Sequence, residues 1–326
     1  MQIDKTTGKY IFSALLVTSV IVMGINFTMS GKKKEDDVEY NLLKQYLVND
    51  SSLARSDKPI IWIHNEYPVN DRNWSSFGSR NSNELNKPIV YLTVNSIIKQ
   101  CGKSFRICVI DDNSFTNLIP GWNVDMDAVS DPTRSHYRFL AFLQLLYIYG
   151  GVMLPPTFLC FKNIDSLYYD HVKDNNIFAT ESPPVSIVSG DTRAFACSKI
   201  LGSEKQNETV KKLLKSLEPI LTNNHTDAIE FEGVIDKMLN QLVDDDNIVS
   251  GKIFGYFTDD NHPIVLEGLC SDTPIKLHDN NVGINIPVDD IIQRHKHNWI
   301  SKLDMDELPK MNNNIGYLLS KIYCRE

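Results

Sequence analysis

Apolar and polar positions along this chain fall into short runs and helical stripes that alternate through its first half. Pro59-Ile-Ile-Trp-Ile-His64 is a brief apolar run stopped by Asn65 and Pro68, the pattern of a buried strand. After a polar loop, IVYLTVNSIIKQCG carries Leu92, Val94, Ile97 and Ile98 at helical spacing and closes at Gly102. FRICVI, residues 105–110, predicts a second buried strand ending at Asp111-Asp112. Strand, helix and strand, with acids at the second strand's end, open a parallel α/β sheet.

The clearest helix is TRSHYRFLAFLQLLYIY, residues 133–149. Asp131 is its candidate cap, Pro132 stands in its first turn and Gly150-Gly151 closes it. Beyond it the pattern predicts a short strand near Val152, an apolar stretch FLCF and a strand at NIFAT. Helices follow over about 207–221 and 227–242, then strands at KIFGYF, PIVLEGL and GINIP, and a final helix over 314–323. One α/β domain over 58–326, irregular towards its C-terminus, is the expectation.

Ahead of that domain, residues 10–29 (YIFSALLVTSVIVMGINFTM) contain no charged side chain. A run of about 20 apolar residues crosses a hydrocarbon core of roughly 30 Å. A signal peptide's apolar core is shorter, about 7–15 residues, and no small-x-small cleavage site follows here. Residues 1–30 are therefore expected to form a single transmembrane anchor, and the charged stretch 31–57 a stalk with a short helix over 38–48. Lys5 and Lys9 precede the span while Lys32, Lys33 and Lys34 follow it, which leans the soluble part towards the cytosol. Asn-x-Ser/Thr tripeptides at Asn49, Asn73, Asn207 and Asn224 would suit a lumenal domain, so the side stays open. The cysteines show no C-x-x-C spacing, and in RICVI and FLCF they read as buried free thiols.

Lys and Arg number 33 against 41 Asp and Glu, a net charge of −8, so no nucleic-acid partner is expected. Hydrophobic content of 42% and charged content of 23% exclude disordered and collagen-like classes. No Walker loop, GxGxxG, HExxH or nucleophile elbow occurs.

Ligands of open α/β sheets bind beyond the carboxyl ends of the strands. His64, the pair Asp111 and Asp112, and Asp131 at the start of the long helix should arrive there. Carboxylates at that edge can hold a ribose hydroxyl or a divalent metal that in turn neutralises a diphosphate; Asp111-Asp112-Asn113-Ser114 is equally a helix cap or polar turn. Arg134 and Arg138 are one turn apart on one helix face, and arginine binds phosphate bidentately; a solvated helix start is the bland reading of the pair. Glu181, His295 and His297 are weaker candidates, and Asp125-Met-Asp127 and Asp304-Met-Asp306 read as surface.

YLTVNSIIKQCGKSFRICVIDDNSF and SDPTRSHYRFLAFLQLLYIYGGVMLPPTFLCFKNID together resemble glycosyltransferases of the sugar-binding, DXD-containing group. That group includes capsular-polysaccharide-synthesis and yeast mannosyltransferase-like proteins, and the flavour of this chain is similar to members encoded by large DNA viruses. Asp131, Arg134 or Arg138, Tyr149, Gly150, Gly151, Leu154, Thr157, Leu159 and Lys162 carry the likeness, over about 58–168. The resemblance implies a GT-A-like fold, a Rossmann-like mixed sheet flanked by helices, with donor-binding residues among His64, Asp111, Asp112, Asp131, Arg134, Arg138, Gly150 and Gly151. It also implies a nucleotide-sugar donor, a glycan or other hydroxyl acceptor, and a manganese or magnesium ion.

Two departures stand out. Pro155, followed by Pro156, takes the place of the family's metal-side Asp; proline has no side-chain oxygen and no N–H to replace it. Arg138 also lies twelve residues before Gly150, about one helical turn farther than the family spacing. A membrane-anchored glycosyltransferase and a catalytically inactive GT-A-like sugar- or nucleotide-binding scaffold are both consistent with this pattern.

Overall fold

A computed structural model of the chain describes residues 58–65, 87–131, 133–183, 195–222, 234–243 and 245–323. In chain order the elements are β1 (Ile60–His64), α1 (Pro88–Cys101), β2 (Arg106–Ile110), α2 (Ser114–Leu118), α3 (Thr133–Tyr149), β3 (Gly151–Leu154) and β4 (Phe158–Cys160). They continue with α4 (Asp165–Val172), β5 (Ile177–Ser182), β6 (Phe195–Ser203), α5 (Glu208–Thr222), α6 (Val234–Leu242) and β7 (Ile248–Val249). The last are α7 (Leu266–Leu269), β8 (Gly283–Asn285), α8 (Val288–Gln293) and α9 (Asn314–Tyr323), with short 3-10 turns between several of them.

Among the described residues a six-stranded mixed sheet runs in the order β2-β1-β3-β6-β5-β7. β1 is parallel to β2 and β3, β6 is antiparallel to β3 and β5, and β7 is parallel to β5. β4 and β8 make a separate antiparallel pair. β1 explains why an unbroken apolar run was needed: all five of its residues are buried, because both faces of the sheet are covered. Ile61 and Ile63 join the core that includes Ile89, Val94 and Ile97 of α1, Leu159 of β4 and Leu319 of α9. Trp62 and His64 point to the other face, where Trp62 lies 5.6 Å from Tyr149 and His64 lies 5.4 Å from Phe115 and 5.5 Å from Phe142, ring to ring. The two faces follow from the period-2 alternation of strand side chains.

Gly150 and Gly151 sit at φ 70° and 108°, so α3 turns straight into β3. A Cβ on Gly151 would lie 2.1 Å from the Ile60 carbonyl oxygen, so the close approach of β3 to β1 requires glycine. Trp62 Nε1 donates to the Gly150 carbonyl at 3.0 Å and ties the same corner.

The fold expectation needs correction. The described residues form a mixed α/β structure with helices flanking a six-stranded sheet, but no helix among them is long and apolar enough to cross a membrane. α3 comes nearest in length at 17 residues, and it carries Arg134, His136 and Arg138 in its first turns. The single-pass localisation is therefore not supported; the 10–29 segment on which it rested, with the 31–57 stalk and its helix, lies outside the described residues. Two strand expectations also give way. KIFGYF becomes turns around Gly255 at φ 70°, and PIVLEGL becomes the short α7 after a lone bridge between Phe257 and Pro263. Their apolar residues, such as Phe254 and Leu266, enter the core from turns and a single helical turn rather than from a ladder. The start of the helix expected over 227–242 falls in residues not described, and α6 runs Val234–Leu242.

Candidate functional site

The chain leaves β1 through α1 to β2 on one side, then crosses back to β3 on β1's other side. Connections that depart in opposite directions open a crevice at the carboxyl ends of the strands, where α/β sheets bind ligands. His64 ends β1 at this edge of the sheet. Pro155 follows β3 one step beyond the Ile63–Leu154 pairing, and Asp111-Asp112 follow β2.

Asp112 is the centre of the site. Arg138 from α3 donates Nε to Oδ1 at 2.9 Å and Nη2 to Oδ2 at 2.7 Å, a bidentate pair. His64 Nε2 lies 2.9 Å from the same Oδ1. A carboxylate only accepts, so Nε2 is the nitrogen that carries the hydrogen; Nδ1 is buried with no hydrogen-bond partner among the described residues. The Asp112 side chain is 24% exposed, that of Arg138 13%, and that of His64 3%. Burial by itself would push the Asp112 carboxyl up, but the hydrogen bonds from His64 and Arg138, and their positive potential, outweigh it and hold the group well below the usual carboxylate range.

Local sequence explains this convergence. Two parallel neighbours, β1 and β2, end in register with His64 opposite Ile110, so the residues just past Ile110 fall beside His64. Phe115 and Phe142 clamp the imidazole, stacked at 3° and edge-on at 81°. The long apolar stripe of α3 (Phe139, Phe142, Leu143, Leu145, Leu146) docks the helix on this sheet face and brings Arg138 over the strand tips.

The other candidates separate. Asp111 Oδ1 accepts from Ser114 N at 2.9 Å and Ser114 Oγ at 2.6 Å, so this acid closes the turn into α2. Arg134 donates Nε to the Val129 carbonyl at 2.7 Å, and Asp131 accepts from Ser135 Oγ at 3.1 Å; both brace the start of α3. Gly150 and Gly151 lie at the other end of the parallel strands, four residues and roughly 13 Å from the level of Pro155. They build the corner rather than line the crevice. Glu181 Oε2 accepts from Gly251 N at 2.9 Å, and no hydrogen bond or ion pair joins His295 or His297 to Asp111 or Asp112.

Asn285 is not singled out by the sequence reading. Thr157 Oγ1 donates to Asn285 Oδ1 at 2.6 Å, joining the turn after β3 to β8 across 128 residues. The same turn is held from below by Thr93 Oγ1, which donates to the Pro156 carbonyl at 2.6 Å.

A divalent ion of the kind the family resemblance implies does not fit these residues. Pro155 offers no side-chain ligand atom and its carbonyl already accepts from Phe158 N at 3.1 Å, while both oxygens of Asp112 hold Arg138 and His64. Among the described residues no group of three or more His, Cys, Asp and Glu stands ready to hold a metal.

What the arrangement can do follows from valence. A carboxylate offers about four acceptor positions, and Arg138 with His64 use three at Asp112. The free position suits a hydroxyl of a ligand entering the crevice. A carboxylate held so far towards its ionised form is a weak base, suited to accepting a hydrogen bond from a hydroxyl rather than to taking its proton.

Compared with models of known protein families the chain matches none, and compared with curated proteins it also finds no match.

Proposed function

We propose that this protein is a glycosyltransferase, moving a sugar from a nucleotide-sugar donor to a hydroxyl acceptor of glycan type. The observation that carries the proposal is Asp112: an ionised, part-exposed carboxylate at a topological switch point, locked by two other elements and left with one acceptor position. A sugar hydroxyl donating there is oriented without freezing a mobile side chain, since the carboxylate is already immobilised. The leaving diphosphate needs positive charge beside it. Arg138 is committed to Asp112, whereas Arg134, anchored through Nε, keeps its terminal N–H donors for an anion at the start of α3. No step of the transfer runs through a metal, because the residues at Asp112 do not fit one.

A second reading is a protein that binds the activated sugar and does not transfer it. Pro155-Pro156 favours it, because that turn places no side-chain acid, base or ligand atom at the tip of β3 where the family carries its Asp.

Thermal-shift titration of the full chain with UDP- and GDP-sugars, with and without manganese, tests both. A ligand at about 100 times its Kd that binds only the native state adds roughly 2.7 kcal/mol of stability. A shift with one donor that D112N lacks, followed by donor hydrolysis or transfer, supports the enzyme; a shift without turnover supports the binding protein. No shift with any donor refutes both.

A further inference from the structure

We propose that Cys101 and Cys160 are a thiol pair that closes to an intramolecular disulfide when the folded chain meets hydrogen peroxide, a modification site separate from the sugar crevice. The two Sγ atoms stand 3.8 Å apart, in van der Waals contact, and both residues are fully buried. They end different elements, Cys101 the helix α1 and Cys160 the strand β4, 59 residues apart in sequence. The contact is not incidental to a loose region, because the surrounding hydrogen bonds fix one element on the other. Ser96 Oγ of α1 accepts from Cys160 N at 2.8 Å, and three residues earlier Thr93 holds Pro156. A disulfide requires the sulfurs to close to about 2.05 Å, a further approach of roughly 1.7 Å that side-chain rotation with a small shift of the helix end supplies.

The two thiols are also unequal. A hydrogen bond from Cys160 holds the Cys101 thiol below its usual range against the opposing effect of burial, while Cys101 and burial together push Cys160 up. Either sulfur can open the reaction and the other resolves it; with Cys101 attacking, the steps are these. In the first step the Cys101 thiolate takes one oxygen of the peroxide, the O–O bond breaks, and hydroxide leaves to be protonated to water. The product is a sulfenic acid. In the second step Cys160 attacks Cys101 Sγ, the S–O bond breaks, and the second water leaves with the Cys160 proton. Two thiols and one peroxide give one disulfide and two waters; the sulfurs lose two electrons and the peroxide oxygens gain them. A small neutral oxidant suits a buried pair that a bulky disulfide reagent reaches poorly. The other described cysteines lack a sulfur partner among the described residues: Cys197 Sγ lies 3.9 Å from the Tyr256 hydroxyl, and no hydrogen bond joins Cys108 or Cys270 to another sulfur.

The consequence is a covalent lock between α1 and β4, beside the turn that carries Pro155. Closing a loop of this length raises the melting temperature by roughly 5–10 °C.

The experiment treats the reduced full chain with a slight excess of hydrogen peroxide, then unfolds, alkylates and maps it without reductant. The expected result is a fall from the six cysteines of the chain to four alkylated ones, one linked Cys101–Cys160 peptide, a raised melting temperature, and full reversal by dithiothreitol. C160A and C101A, with far-UV circular dichroism confirming the fold, each lose the linked peptide and the peroxide-dependent rise in melting temperature. Absence of the 101–160 link, a link through any other cysteine, or a Cys101 sulfinic acid beside an intact Cys160 thiol overturns the proposal.

Discussion

Removing Arg138 tests whether Asp112 is held as the geometry implies. The arginine makes two charge-assisted hydrogen bonds to the carboxylate, at 2.9 and 2.7 Å, and leaves only His64 when it is gone. Such bonds contribute about 1.5–3 kcal/mol each, and orphaning one member of a buried pair costs about 3–5 kcal/mol. Water reaches the 24% of the Asp112 side chain that is exposed and recovers part of this, so Arg138→Ala is expected to cost about 2–4 kcal/mol. In a domain of this size that lowers the melting temperature by roughly 4–12 °C. Arg138 has further contacts of its own, so the single variant overstates the pair, and the cycle of R138A, D112N and R138A/D112N isolates it. The coupling energy expected from urea unfolding at neutral pH is about 1.5–3 kcal/mol. Arg138→Lys keeps the charge but loses the two-pronged geometry and falls between the wild type and R138A.

The same pair predicts a pH signature. The Asp112 carboxyl lies below its ordinary value of about 4 in the folded protein, so the unfolded chain binds the proton first. Its contribution is complete above about pH 5 and drains away as pH falls towards the lower folded-state value. The stability advantage of the wild type over D112N therefore shrinks between about pH 5 and pH 2. A coupling below about 0.5 kcal/mol, or an advantage that stays constant with acid, refutes the locked-carboxylate geometry.

Four further outcomes are expected. Gly151→Ala places a Cβ 2.1 Å from the Ile60 carbonyl at φ 108°, so it costs upwards of about 3 kcal/mol in urea unfolding or abolishes soluble expression. His64→Gln keeps a donor near Asp112 and loses about 1 kcal/mol less than His64→Leu; equal losses would show that the imidazole only fills space. Tyr323→Phe removes the hydroxyl bonded to the Leu92 carbonyl and costs about 1 kcal/mol at neutral pH. Burial, with Tyr91 nearby, pushes the Tyr323 phenol up to about 12, so its contribution is present below about pH 10 and is lost as pH rises from there to 12. Alkaline unfolding of Y323F lacks that loss.

How much was readable from the chain depends on whether the signal is local. α3 carries a cap, a buried stripe and a terminal glycine pair within one window, and the observed helix is Thr133–Tyr149, as expected. β1 reads correctly because a strand buried on both faces is an unbroken apolar run, whereas β2 forms where expected but is an edge strand rather than a buried one, with only Ile110 buried and Val109 exposed. β6 gave no such signal: FACSKILGS mixes small and polar residues, since its ladder lies between β3 and β5 and Phe178 packs where a Gly202 side chain would stand. The site follows the same division. Asp112, His64 and Arg138 were each visible as residue types at strand and helix ends, but the choice of Asp112 over Asp111 and Arg138 over Arg134 was not. Both acids follow one strand and both arginines share one helix face. Only the register of β2 against β1, and the depth at which α3 docks, decide which members meet across 26 residues.

That division also weighs the family-like frame. Tyr149, Gly150 and Gly151 each have a structural reason to be present: Tyr149 donates to the Leu118 carbonyl at 2.9 Å, Gly150 receives Trp62, and Gly151 admits the Ile60 backbone. Any chain that turns a buried helix directly into a strand against β1 needs such a corner, whether or not it transfers sugar. The corner therefore says little about chemistry. The Asp112 cluster has no comparable structural excuse, since α3 is already anchored by its apolar stripe and a well-packed hydrophobic pair would serve the fold as well as a half-buried ion pair. The cluster invites a functional test that the corner does not. If Asp112→Asn combined with Arg138→Met and His64→Leu yields a fold of wild-type stability that no longer responds to any sugar nucleotide, the three side chains serve a ligand. If stability collapses while donor binding persists elsewhere, they serve only the fold.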